Sequence, residues 1–470
     1  MPGAIILLPP KDSRSMYPVR SRSIESFGNY MASPTRVTGL DSLLPQLSEA
    51  QERSDALFEA VRPEAFYERP IAERHRIIFY LGHLEAFDWN LFGRELAGLK
   101  SFAPSFDKLF AFGIDPVNGE LPDDQPSDWP ERKDVLRYNQ GVRAALDDQL
   151  PAALEGPDER RRTLSQFLHV AVEHRLMHVE TLTYMLHRLP LNLKCARQGD
   201  PAPRAPQVRP QMTEIPSGIA TLGLRREDGV FGWDNEFEEH RVFVPAFRID
   251  TYKVTNLQYL RFVAEGGYRE QRFWSDADWE WLQSSGRLYP AFWIRRGSQF
   301  FFRTMFDEVP LPLDWPVYVS HAEASAYARW ADKELPSEAE WHRAAYGTHS
   351  GAERSYPWGD VPPSVGLGNF DFQYWDPTPA TAFPAGGSAF GVTDLVGNGW
   401  EWTRTVFAPF EGFEPFPFYP GYSANFFDNR HYVVKGASPR TASCLLRRSF
   451  RNWFQSRYPY IYTGFRCVEH

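Results

Sequence analysis

Cysteine is scarce in this chain of 470 residues: three, at Cys195, Cys444 and Cys467. So sparse and odd a set excludes a disulfide framework and suits a reducing compartment. An excess of positive charge is also missing. Lys and Arg total 51 against 60 Asp and Glu, a net charge of −9, which argues against a nucleic-acid-binding surface. No apolar run approaches the roughly 18 residues of a membrane-crossing helix. The opening MPGAIILLPPKDSRS has a five-residue apolar run ended by Pro-Pro and no basic leader, so no secretory signal is expected. Glycine-rich phosphate loops, heptads and internal repeats are absent. The expectation is a cytoplasmic protein with neither membrane nor nucleic-acid partner. No feature sets an oligomeric state.

What the chain does have is aromatic side chains, 15% of its residues, mostly in its second half. Such composition suits an irregular domain held by aromatic packing, or pockets for flat or cationic ligands. The length predicts two or three domains. Residues 1–38 are polar and Ser/Arg-rich and read as loosely ordered. Residues 39–195 read as a helical bundle, with helices over 41–62, 72–96, 131–149 and 158–188 and a long Pro/Asp/Gly-rich loop over 101–130. ARQGDPAPRAPQVRPQ (196–211) reads as a linker. Residues 212–470 read as α+β, with short strands between turns. Two helices there open on capping boxes, Ser320 with Glu323 and Ser337 with Glu340.

The stretch EHRLMHVETLTYM (173–185) places His174 and His178 four residues apart. On a helix they share a face. Glu180, two residues further on, turns to the opposite side and suits a supporting role. A third ligand must then come from another helix. His83 in YLGHLEAFDWN (80–90) is the candidate, because bundles build metal sites from facing helices. A set of satisfied core histidines competes with this reading, and His75, His169 and His187 lie close by in the chain. Three imidazoles would suit zinc or non-haem iron.

In the second half, VTNLQYLRFV (254–263), PVYVSHAEASAYARWADKELPSEAEWHRAA (316–345), YPWGD (356–360), FGVTDLVGNGWEWT (390–403), VVKGAS (433–438) and TGFRCV (463–468) follow in order. Together they resemble the formylglycine-generating-enzyme/sulfatase-modifying-factor domain, a variant of the C-type-lectin fold. The first half, with its HxxxHxE and upstream LGH, resembles the DinB-like four-helix bundle. That pairing resembles the EgtB-type sulfoxide synthases of ergothioneine biosynthesis. The resemblance implies an α+β multidomain protein, a DinB-like bundle followed by a C-type-lectin-like domain. It also implies Fe(2+) on His83, His174 and His178. The implied reaction couples cysteine to C2 of the hercynine imidazole with O2, leaving a sulfoxide.

The resemblance assigns further residues. Tyr419 and Tyr422, in FYPGYSANFF (418–427), match a Tyr-x-x-Tyr pair. The first is the implied proton donor of the oxygen chemistry and the second a substrate contact. Trp453 matches an aromatic that walls the substrate, and a trimethylammonium suits aromatic faces. Members that use γ-glutamylcysteine carry Asp where this chain has Phe454. A family Gln before the second ligand His is Met177 here. Both departures favour cysteine as donor, with Arg451 or Arg457 for its carboxylate and Asp115 for its amine. Competing readings are γ-glutamylcysteine as donor, a synthase acting at C5 of histidine, formylglycine generation, and a non-catalytic lectin-like binding module. Formylglycine generation needs a pair of reactive cysteines. The domain offers Cys444, with Pro439 near where a partner is expected, and Cys467 in a strand-like setting.

Overall fold

The computed structural model describes residues 40–112, 121–197 and 202–470. They form two compact units. One takes in the described residues up to Cys195 together with Arg225–Phe231, and the other Ala196–Leu224 and Gly232–His470.

The first unit holds five helices among the described residues: α1 (Leu40–Glu59), α2 (Ile77–Asp88), α3 (Pro104–Phe112), α4 (Arg132–Leu154) and α5 (Asp158–Arg188). The longest, α5, has Asp158 and Glu159 in its first turn and His187 and Arg188 in its last. That charge order matches the helix dipole. From Val170 to His187 every residue of α5 is buried, so the helix is covered on all sides. It packs on α1 and α2, and α2 packs also on α3 and α4. After Asp88, α2 widens into a π-helical stretch, Trp89–Leu96.

The segment expected as a loop over 101–130 contains α3. Proline at its first position loses no helical hydrogen bond. Phe110 is fully buried. It docks so closely on Gly82 that a Cβ there would lie 2.6 Å from the ring. Burial of Phe110 outweighs the loop-like composition of its surroundings.

The second unit is assembled from short strands. A four-stranded sheet runs in the order β10 (Asn452–Gln455), β9 (His431–Ala437), β8 (Gly399–Val406), β11 (Thr463–Gly464). Only β11 is parallel to its neighbour. A second sheet orders β1 (Met212–Ile215), β4 (Phe247–Asp250) and β12 (Val468–Glu469). A third pairs β2 (Gly218–Leu222) with β3 (His240–Val244), and a fourth orders β5 (Trp293–Arg296), β6 (Gln299–Arg303) and β7 (Glu308–Pro310). The two capping boxes seen in the sequence open α8 (His321–Trp330) and α9 (Glu338–Tyr346). Two more helices, α6 (Asn256–Ala264) and α7 (Asp276–Ser285), start on Thr255 and Ser275 caps.

The core gathers Trp341, Phe247, Ile249, Leu395 and Val468 from three elements and the 390–403 motif. At its centre Glu401 is fully buried and takes hydrogen bonds from Lys253 (2.6 Å), Arg466 (2.6 and 2.8 Å) and the Trp341 indole (2.9 Å). A buried carboxylate is tolerated only when so fully met. Within the motif, Gly399 has φ +131° and a Cβ there would stand 2.7 Å from the Tyr318 ring, so glycine is required.

Candidate metal centre

His83 comes from α2, and His174 and His178 from successive turns of α5. Their rings converge, with one nitrogen of each lying within 4.8 Å of the others. Centroids stand 4.6 Å apart for His174 and His178, 4.9 Å for His83 and His178, and 5.4 Å for His83 and His174. All three are interior, 2%, 0% and 3% exposed in chain order. No other His, Cys, Asp or Glu among the described residues joins a group of this kind. Glu180, in the same helix, is not one of the three.

The neighbours fix the rings. His83 Nδ1 lies 2.7 Å from the Phe110 carbonyl, which must receive a proton from it, so Nε2 is left bare toward the centre. Phe79 stacks on His83 at 4.8 Å, and Phe87 on His174 at 3.5 Å. Burial pulls His83 down to about 4, the Phe110 hydrogen bond opposing, and takes His174 and His178 well below 6.5. The imidazoles are therefore neutral at pH 7, as metal ligation demands.

His83 Nε2 and both nitrogens of His178 are buried with no hydrogen-bond partner. Buried polar atoms are seldom left so. A divalent metal bound by one nitrogen of each imidazole satisfies His83 Nε2 and one nitrogen of His178, and the donor set fits zinc or non-haem iron.

One residue past His174, Arg175 pins α5 to α2. Its guanidinium is buried and binds Glu85 at 2.8 Å and Asp88 at 2.5 Å. Arg143 of α4 joins through Glu85 at 2.6 Å and Asp55 at 2.7 Å. Met177 is buried on α5. Asp115 lies outside the described residues.

The remaining residues named from sequence belong to the second unit, where several meet. Tyr422 stacks on Trp233 at 3.9 Å, and its ring meets Trp453 at 5.5 Å and Tyr419 at 5.6 Å. Trp453 also stacks on Phe407 at 4.1 Å, and its indole N–H is buried without a partner. Tyr419 is half-buried. Burial and then the nearby Asp234 raise its phenol, so it keeps its proton at neutral pH. Phe454 is buried and stacks toward Tyr458.

Both arginines are already engaged. Arg451 binds Glu338 at 2.9 Å and two backbone carbonyls, and Arg457 binds Asp278 at 2.9 Å. Arg457 is the more open, its side chain 39% exposed. None of the three cysteines is in a disulfide; Cys444 is exposed and Cys467 buried.

Sequence reasoning did not find the Phe110 carbonyl or Phe87, because neither a backbone acceptor nor a stacking ring leaves a spacing signature. It also passed over Asp234, a carboxylate beside Tyr419.

Comparison with known proteins covers both units. Residues 197–470 match the sulfatase-modifying factor enzyme 1-like domain, and residues 46–182 match the DinB superfamily. A hercynine oxygenase of Mycolicibacterium thermoresistibile is 38% identical over 71% of this chain and 74% of its own length. Ergothioneine biosynthesis protein 1 of Neurospora crassa is 31% identical over 86% of this chain and 55% of its own. A formylglycine-generating enzyme of Mycobacterium tuberculosis is 29% identical over 44% of this chain and 77% of its own.

Proposed function

The chain belongs to the hercynine oxygenase family, and from that premise we propose that it is a sulfoxide synthase of ergothioneine biosynthesis, dependent on iron(II) and O2. In this reading, cysteine and hercynine react with O2 to give the hercynyl cysteine sulfoxide and water. The thiol loses S–H, the imidazole loses C2–H, and sulfur gains one oxygen. These are the four electrons that O2 accepts.

The observation that carries the reading is the centre of three buried, neutral imidazoles. Held by His83, His174 and His178, iron(II) supplies O2 binding and reduction together with a site for the thiolate. The chain's own residues do the rest. The Phe110 carbonyl and the Phe87 ring hold two of the ligands in place. Apolar burial around the histidines keeps water from the centre. Tyr419 is assigned the proton donation, which its raised phenol supports. Tyr422 and Trp453 are assigned to the substrate imidazole and its trimethylammonium, a cation that aromatic faces attract.

Cysteine as the donor is supported by Phe454 and Met177, apolar at positions where a longer donor would need charge or an amide. Arg457, the more open of the two arginines, is assigned to its carboxylate. Three cysteines outside any disulfide support a reducing compartment, and no helix among the described residues is long and apolar enough to cross a membrane.

The test is O2 consumption by metal-free protein reloaded with Fe(II), given hercynine and cysteine together and separately, with the product identified by mass. Uptake that needs both, giving a hercynyl-cysteine sulfoxide, is the expected result. Uptake with cysteine alone and no coupled product would overturn the proposal. The variant His178→Ala is expected to lose bound iron by elemental analysis and to lose turnover with it.

A further inference from the structure

Trp233 and Asp234 lie side by side on a short 3-10 turn, Asp234–Glu236 with Trp233 as its cap. Trp233 stacks on Tyr422. Asp234 holds one end of the stretch of chain that carries Tyr419: the Ser423 hydroxyl donates to Asp234 Oδ1. Inside that stretch, the Tyr419 N–H bonds to the Phe416 carbonyl at 3.0 Å and the Tyr422 N–H to the Tyr419 carbonyl at 3.2 Å. Asn235 adds a bond from its Nδ2 to Ser423 Oγ at 3.1 Å. The carboxylate thus anchors the end of a double turn that has Tyr419 at its middle.

We propose that Asp234 is the positioning residue of Tyr419, anchoring the turn at Ser423 so that the phenol is held at one place in the fold. The inference rests on the role given to Tyr419 above. Two further facts support it. Asp234 is fully buried, and its Oδ2 has no hydrogen-bond partner, an arrangement that a purely structural carboxylate would avoid. Burial also pushes its carboxyl up to about 6.

The geometry separates Tyr419 from its neighbours. Tyr422 is held in addition by the Trp233 stack and by Trp453, and both it and Trp453 are buried. Tyr419 is half-buried. Loosening the turn should therefore disturb proton delivery before it disturbs substrate binding.

Asp234→Ala removes the bond to Ser423, whereas in Asp234→Asn the amide oxygen still accepts it. The iron-loaded enzyme is measured with hercynine and cysteine, and hercynine affinity is measured separately by calorimetry on metal-free protein. Asp234→Ala is expected to lower kcat roughly tenfold or more with affinity and KM within about twofold. Asp234→Asn should recover most of kcat. In a Tyr419→Phe background, Asp234→Ala should cost nothing further, because residues that act as a unit are not additive.

An unchanged kcat in Asp234→Ala, a matching fall in affinity, or losses that add to Tyr419→Phe would each overturn the assignment. A wild type that binds iron and turns over neither substrate would overturn the functional reading, and the assignment with it.

Discussion

Asp394 is a buried acid in left-handed backbone, with φ 57°. Its Oδ2 accepts from Asn398 Nδ2 at 3.0 Å, and Oδ1 is buried without a partner. Burial pushes its carboxyl up to about 7, with Lys253 opposing. An unfolded aspartate titrates near pH 4 (about 3.9). Between those values the folded chain holds a proton that the unfolded chain has released. The contribution of this group to stability is therefore full below about pH 4 and is lost as pH rises through about 7. Asp394→Asn keeps the shape and removes the titration. Unfolding free energies from urea titrations between pH 4 and 7 should fall in the wild type relative to this variant, by an amount on the order of a few kcal/mol at most. Parallel curves would show that Asp394 ionises freely. At this same scale, His174 and His178 were legible because a helical period leaves no other place for side chains four apart. His83 could be named only because its helix is apolar. Asp234 and the Phe110 carbonyl left no such mark, since contacts across loops have no period.

Between elements, the decisive contact in the bundle is the one Arg175 makes from α5 to Glu85 and Asp88 of α2. Those two helices carry all three histidines. Arg175→Met fills a similar volume but strands the buried Asp88 and leaves Glu85 to Arg143 alone, and breaking such a cluster costs about 3–5 kcal/mol. The expected result is a lower urea midpoint with weaker iron retention, although no metal-binding residue has changed. A variant with wild-type stability and iron content would place the helix pairing elsewhere. Element boundaries were readable where local chemistry is strong. The Ser320 and Ser337 caps marked α8 and α9 to within a residue. Thr255 with Gln258 is an equally formed box in a stretch with weaker periodicity, and α6 was missed. The α3 helix was missed because proline and glycine around it signal turns, while its stability comes from the docking of Phe110 on Gly82.

Across the whole molecule, metal and fold are linked, because a ligand set that closes only in the native state makes binding energy part of folding energy. Iron(II) at about a hundred times its dissociation constant should add about 2.7 kcal/mol to the native state. Hydrogen exchange should then slow in α2 and α5 when the metal-free protein is loaded, with little change in the sheet of β8, β9 and β10. Equal slowing everywhere would mean that the metal stabilises both units together. The division into a helical part and a strand-rich part was read from apolar periodicity on one side of the proline-rich 196–211 stretch and short alternating pieces on the other. The inclusion of Arg225–Phe231 with the helical unit was not, since a short polar segment carries no sign of what it packs on.

The hydrogen bond from His83 to the Phe110 carbonyl has a bearing on engineering. The acceptor is main chain, so the side chain at position 110 bears on it only through where it seats α3. It exists because α3 lies where it does, and α3 lies there because Gly82 leaves room for a ring. Grafting the three histidines onto another bundle would copy the ligands and leave behind the proton placement. A transplant would need the glycine and the crossing helix as well.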